Sequence, residues 1–145
     1  MNTTKRILFT LVVLSLVIAS VLGLVACNKL SNPVQMRETE IIIPLDSAIM
    51  SDISGKHLVD YLNALKDKEF LTYEMKGSMI VTINGRTADG AKNEYWMIYT
   101  DDEENSSTEY GTYTVNDVTY GSSNFGVNDL PLKEGKKYIF VISKW

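Results

Sequence analysis

The sequence predicts an α+β domain in which one helix packs on a small twisted, mostly antiparallel sheet. Three observations point there. Leu58, Tyr61, Leu62 and Leu65 stand at i, i+3, i+4 and i+7, the spacing of one helical face. After that segment the chain reads as strand-like runs, clearest in Glu94–Thr100 and Lys136–Lys144. Asn84-Gly85 and Asn116-Asp117 punctuate those runs as tight-turn signals. The 145 residues suffice for one ordinary domain and exclude scaffolds such as a barrel of about 250 residues.

The chain begins with Met1–Arg6, which carries Lys5 and Arg6, and continues as an apolar run, Ile7–Ala26, broken only by Thr10, Ser15, Ser20 and Gly23. A charged start before an apolar stretch is the pattern of an export leader, and about twenty such residues are also long enough to cross a bilayer. The run ends in Leu24-Val25-Ala26-Cys27, which resembles the lipobox of bacterial lipoproteins. That resemblance implies cleavage before Cys27, acylation of its thiol with palmitate-type chains, and a lipid anchor on the extracytoplasmic face of the cell membrane. An uncleaved membrane helix with an incidental cysteine is the alternative. Under either reading the basic residues hold the N-terminus inside and send the rest out. The expected division is a signal peptide over residues 1–26, a lipidated tether over 27–37 and the domain over 38–145.

Asn28–Met36, with Ser31, Asn32 and Pro33, has no periodicity and reads as tether. Ile41-Ile42-Ile43 is a β-branched run within Glu40–Leu45, a strand that ends at Pro44. Ser54 is placed to cap a helix over His57–Lys68. Ser78–Ile83 is a strand running into Asn84-Gly85. In Glu94–Thr100, Tyr95, Met97 and Tyr99 share one face, and Trp96 and Ile98 the other. Tyr110–Val115 and Val118–Tyr120 flank Asn116-Asp117. Beyond the Glu134-Gly135 turn, the last strand alternates Tyr138, Phe140 and Ile142 against Ile139, Val141 and Ser143.

Several of these segments, taken in order, resemble the transcobalamin-like C-terminal domain family, a family of unknown function found in many bacterial surface proteins. The carrying residues are Leu58, Leu62 and Leu65, then Ile83-Asn84-Gly85, then Tyr95-Trp96-Met97-Ile98-Tyr99. Tyr120-Gly121-Ser122-Ser123-Asn124-Phe125-Gly126-Val127 and Leu132-Lys133-Glu134-Gly135 complete the series. The resemblance spans roughly Glu38–Lys144 and implies a β-grasp-like fold. It also implies a possible role in covering one face of a corrinoid. In the transcobalamins a separate helical barrel holds the other face, and this chain has no room for one.

The residues themselves narrow the chemistry. A single cysteine, Cys27, excludes an intrachain disulfide, a cysteine zinc cluster and a CxxC pair. The only imidazole is His57, read as a partly exposed residue of the first helical turn, and no serine sits in a G-x-S-x-G elbow. No enzyme is expected. Asp101-Asp102-Glu103-Glu104-Asn105 lacks the alternate spacing and central glycine of a calcium loop, and reads as a solvated loop between strands. No metal and no resident cofactor are expected. The 14 basic against 18 acidic residues give a net charge of −4. Because Lys5 and Arg6 lie in the leader, the exported part is more acidic still, a poor match for nucleic acid.

The aromatics cluster in the second half of the chain, and alternation splits them between two sheet faces. Most would build core. The functional reading is a contact surface of Tyr95, Trp96, Tyr120 and Phe125, with Ser122, Ser123 and Asn124 as hydrogen-bonding groups on a glycine-flanked loop. The expected protein is a lipid-anchored binding module that takes a corrinoid or similar small molecule for uptake alongside a membrane transporter. A protein-interaction or envelope-structural module is the alternative.

Overall fold

The computed structural model describes residues 30–144; the leader, Cys27 and Trp145 lie outside them. Among the described residues, one α-helix, α1 (Leu58–Asp67), accompanies two sheets in which every pairing is antiparallel. The larger sheet contains β1 (Gln35–Met36), β2 (Glu40–Pro44), β6 (Glu94–Thr100), β7 (Ser106–Val115), β8 (Val118–Ser123) and β9 (Lys137–Lys144). Their spatial order is β1-β2-β9-β6-β8-β7. A second sheet is made by β3 (Tyr73–Lys76), β4 (Met79–Ile83) and β5 (Arg86–Thr87). The single small sheet expected from sequence is thus two. The first pairing begins at Gln35, inside the segment read as tether.

Register fixes the two faces of the larger sheet. β9 pairs with β2 from Glu40↔Val141 to Pro44↔Lys137, and with β6 from Glu94↔Lys144 to Thr100↔Tyr138. One face therefore gathers Ile41, Ile43, Trp96, Ile98, Tyr138 and Phe140; the opposite face carries Ile42, Tyr99, Ile139 and Val141. All are buried except Ile98, which is half-buried. Burial on both faces explains why Ile41-Ile42-Ile43 shows no alternation.

The helix covers part of the first face. Leu58, Tyr61, Leu62 and Leu65 are fully buried, as their spacing predicted. The Tyr61 hydroxyl donates to Pro44 O (3.1 Å) and accepts from the Asp46 N–H (2.9 Å), which pins the helix to the end of β2. The N-cap is His57, not Ser54. Asp60 accepts the His57 N–H (2.8 Å), and the N–H groups of Leu58 and Val59 donate to Leu130 O (2.8 Å) and Val127 O (2.9 Å). The loop after β8 thus supplies carbonyls to a helix end that would otherwise hold unpaired donors. Ser54 instead donates its N–H to Asp52 Oδ1 (3.0 Å). Beneath this junction, Tyr138 accepts from the Lys133 N–H (3.1 Å) and donates to Pro131 O (3.3 Å), and burial pushes its hydroxyl up to about 12.

The other face is covered by the chain's own β7–β8 hairpin. A flat sheet would hold β7 and β2, four strand spacings apart, at roughly 19 Å. Yet the Tyr113 hydroxyl of β7 donates to Glu40 Oε2 of β2 at 3.0 Å. The sheet curls because β8 pairs with β6 only at Tyr99↔Ser122 and Thr100↔Gly121; the rest of the hairpin leaves β6 and bends across the face. Ile42, Tyr99, Val115, Tyr120, Ile139 and Val141 form one buried cluster there, with the Tyr99 and Tyr113 rings 5.6 Å apart. At the bend the β7 register jumps from Ser107↔Ser122 to Thr112↔Gly121. A Cβ on Gly121 would sit 2.9 Å from Ser106 Oγ, so this close crossing needs a glycine.

Candidate functional site

Beside the helix, the first face is covered by the smaller sheet. That sheet is shaped by two tight hairpins, one of them at Asn84-Gly85, whose φ angles of 46° and 77° are the paired positive values the sequence implied. Asn84 secures it further by accepting the Thr72 N–H (2.6 Å). β4 approaches β6, and between them lies a cavity of about 340 Å³. Its walls include Ile80 and Val81 of β4, Trp96 and Ile98 of β6, Phe140 of β9 and Val127 of the loop after β8. Lys76 and Glu94 are its charged residues; Lys76 is exposed, and Glu94 faces Lys144 at 3.8 Å. Gly126 completes the wall against β4's turn: a Cβ there would meet Ser78 O at an ordinary 3.7 Å.

A second cavity, of about 470 Å³, adjoins the end of β2, where β9 continues past the Glu40↔Val141 pair without it. It is lined by Glu38, Thr39, Arg86, Trp96, Tyr113 and Ile142 among others. Beside it stands Glu40, a buried carboxylate that receives the Thr39 and Tyr113 hydroxyls and the Arg37 guanidinium. The Thr39 hydrogen bond, helped by Tyr113 and Arg37, outweighs the opposing effect of burial and holds this carboxyl below its ordinary value. The Arg86 guanidinium donates to Arg37 O and so ties the smaller sheet to the β1–β2 turn.

Trp96 lines both cavities. It is only 9% exposed, and its indole Nε1 is the one buried side-chain nitrogen or oxygen without a hydrogen-bond partner among the described residues. Leaving such a donor unpaired costs about 1–3 kcal/mol. Among the described residues no three or more His, Cys, Asp or Glu side chains gather as a metal site, and no helix is long and apolar enough to cross a membrane.

The residues singled out from sequence do not form one surface. Tyr95, 40% exposed, lines the smaller cavity together with Trp96. Tyr120 and Ser122 are buried, and the Tyr99↔Ser122 register places them on the sheet face opposite Trp96. The Ser123 hydroxyl donates to Phe125 O (2.8 Å) and accepts the Phe125 N–H (3.2 Å), so it shapes its own loop. Asn124 is exposed and donates its N–H to Asn105 O (2.9 Å). Phe125 is 43% exposed, one residue from the cavity wall at Gly126. The walls that sequence reasoning missed are Ile80, Val81, Ile98, Val127 and Phe140. Each carried only the signal of an ordinary core position.

The acidic loop also departs from expectation. Asp102 is 1% exposed; it accepts from the Asn105 amide (2.6 Å) and the Glu104 N–H (3.3 Å) and faces Lys133 Nζ at 3.4 Å. Burial alone would raise its carboxyl, but Asn105, Lys133 and Glu104 together hold it below the ordinary carboxylate value. Asp101 accepts the Lys137 N–H (2.9 Å) and, through its carbonyl, Lys136 Nζ (3.0 Å). The run is the expected loop between β6 and β7, with Glu103 and Glu104 exposed, but Asp101 and Asp102 are not free in solvent: they tie it to the start of β9 and to Lys133.

Fold and site together define an antiparallel α+β domain with an apolar cavity between two sheets. A family described as a domain of unknown function (DUF4430) matches residues 55–106, a span that runs from just before α1 through β6 to the first residue of β7. The match includes β4, Tyr95 and Trp96, but not Val127 or Phe140 on the cavity's other walls. No curated protein and no solved structure gives a match.

Proposed function

We propose that this chain is an extracytoplasmic lipoprotein, anchored through Cys27, whose domain is a non-catalytic module that takes a small, largely apolar molecule between its two sheets. The observation that carries the binding reading is the cavity of about 340 Å³ walled by Trp96, Ile80, Val81, Ile98, Val127 and Phe140. That volume and lining fall in the range of small-molecule sites, about 300–1,000 Å³ and mostly apolar. The anchor reading is supported by the Leu24-Val25-Ala26-Cys27 sequence after a charged start and an apolar run.

The finer reading, uptake of a corrinoid with a membrane transporter, rests on the resemblance to the transcobalamin-like C-terminal domain and its β-grasp-like fold. A whole corrinoid exceeds this cavity. Only an edge or side group would enter, with the exposed Tyr95 and Phe125 rings offering contact outside. The test is a thermal-shift and fluorescence titration of the full chain in detergent against corrinoids and small apolar molecules. Saturable stabilisation by members of the second group alone supports the small-molecule module and removes the corrinoid. No saturable response from either group removes the cavity reading, and the envelope-structural alternative then leads.

A further inference from the structure

The cavity of about 470 Å³ at the end of β2 carries two charges that the fold does not use. Elsewhere opposite charges that come close have closed on one another: Arg37 on Glu40 at 3.2 Å, Lys92 on Asp89 at 3.0 Å and Lys133 on Glu104 at 2.6 Å. Arg86 and Glu38 both line this cavity, yet among the described residues neither makes an ion pair, with the other or with any third group. Both are accessible, Glu38 exposed and Arg86 half-buried. The guanidinium itself, not only the stem of Arg86, stands at this wall. It donates to Arg37 O, the carbonyl bonded directly to the Glu38 nitrogen, and that single bond leaves most of its five N–H donors unspent. The hydroxyls of the wall, Thr39 and Tyr113, are already committed to Glu40. The remaining walls are apolar: Trp96, Val141 and Ile142. From Val141 to Lys144, β9 runs beside β6 with no strand of the described residues on its other side, so the cavity lies along an open sheet edge.

We infer that this second cavity binds a free α-amino acid with an apolar side chain: Arg86 donates to its carboxylate, its ammonium donates to Glu38, and its side chain lies on Trp96, Val141 and Ile142. An unspent cation and an unspent anion beside one apolar wall are complementary to a molecule with both charges and one apolar group. A guanidinium is shaped to take a carboxylate through two parallel hydrogen bonds. Its anchor on Arg37 O sets it next to the Glu38 main chain, so the ligand's two charges are near neighbours. That is their arrangement around an α-carbon, not at the two ends of a peptide. The volume also falls in the small-molecule range of about 300–1,000 Å³. This site goes beyond the function proposed above and does not depend on it, since the two cavities share only Trp96.

The test is isothermal titration calorimetry of the full chain in detergent with three probes that share one ring: L-phenylalanine, 2-phenylethylamine without the carboxylate, and 3-phenylpropanoate without the ammonium. Phenylalanine is expected to bind about tenfold or more tightly than either analogue, the worth of one hydrogen-bonded charge. Glu38→Gln should bring phenylalanine down to the level of 3-phenylpropanoate without weakening 3-phenylpropanoate itself. Arg86→Gln should bring it down to the level of 2-phenylethylamine. Arg86 also fastens the smaller sheet, so the exposed Glu38 carries the test if the Arg86 variant unfolds. Phenylalanine binding no tighter than its analogues overturns the inference, as does tight binding that Glu38→Gln leaves unchanged, which would place the ligand elsewhere. No saturable binding of phenylalanine overturns it too, and leaves the apolar cavity to be judged by its own uncharged probes.

Discussion

Substituting Asp102 tests whether the acidic loop is part of the folded framework. The carboxylate accepts from Asn105 Nδ2 (2.6 Å) and the Glu104 N–H (3.3 Å) and pairs with Lys133 (3.4 Å). Its main chain is engaged as well: the N–H donates to Thr100 Oγ1 (3.2 Å) and the carbonyl accepts from Ser106 Oγ (2.7 Å). Breaking a buried pair ordinarily costs about 3–5 kcal/mol. Lys133 is 40% exposed and also holds Glu104 at 2.6 Å, so it can return to water, and the expected loss for Asp102→Ala falls to about 2–3 kcal/mol. Asp102→Asn keeps the shape and one acceptor oxygen but turns an NH₂ toward existing donors, for a loss of about 1–2 kcal/mol.

Urea denaturation at neutral pH measures both, with an unchanged slope showing that the unfolded surface is the same. The pH dependence has a definite sign. Asp102 titrates below its unfolded value in the folded chain. Its contribution is therefore complete above an unfolded value of about 3.9 and disappears as pH falls through the lower folded value. The difference between the native chain and Asp102→Ala should stay level from about pH 5 to 8 and shrink in stronger acid. A neutral Asp102→Ala variant, or a deficit that persists undiminished in strong acid, refutes that structural role.

Four further outcomes follow from the same structure. Tyr113→Phe removes the hydroxyl that reaches Glu40 and should cost about 1.5–3 kcal/mol in denaturation, as for a hydrogen bond to a charged group; no loss means that the hairpin is not fastened there. Leu62→Ala, fully buried on α1, should lower stability by about 2–5 kcal/mol in the same assay, and a change within error would displace the helix from the sheet. Gly85→Val should cost about 1–2 kcal/mol through its φ of 77° alone, since nothing lies within 4 Å of an added Cβ; Gly85→Asn, measured alongside, should cost less. Cys27→Ser should abolish incorporation of labelled fatty acid, and retained label would end the lipoprotein proposal.

What the sequence made legible was local. Leu58, Tyr61, Leu62 and Leu65 announced α1 because residues three and four apart share one helical face, and all four are buried. Asn84-Gly85 and Asn116-Asp117 announced their turns because both positions of each adopt positive φ. Alternation assigned Trp96 and Tyr95 to opposite sides of β6, and Tyr138 and Ile139 to opposite sides of β9. What stayed hidden depended on distant partners. Tyr73-Glu74-Met75-Lys76 is too short and polar to stand out as a strand, and becomes β3 by pairing with β4. His57 caps the helix, with Leu130 O and Val127 O taking up first-turn donors far away in sequence. Asp102 looks like its acidic neighbours until the fold delivers Lys133. Tyr120 and Ser122 are buried because the hairpin bends back over the sheet, and that bend follows from a β6–β8 ladder of only two pairs.

The candidate site arises from an unequal covering of two apolar faces. One face is filled by the continuous β7–β8 hairpin, which brings Val115 and Tyr120 onto Ile42, Tyr99, Ile139 and Val141 and closes with Tyr113 on Glu40. The other face has two covers of different shape. The helix is held near Pro44 and Tyr138, and the short-stranded smaller sheet approaches β6. Trp96, Ile98 and Phe140 line the space left between the smaller sheet and β6, so the cavity follows from the architecture rather than from a single deleted side chain. This separates the residues that hold the fold from those that wall the cavity. Asp102 and Glu40 are satisfied, and removing them should disturb stability first. The Trp96 indole N–H, buried without a partner among the described residues, is a cost of about 1–3 kcal/mol that the fold carries at this wall.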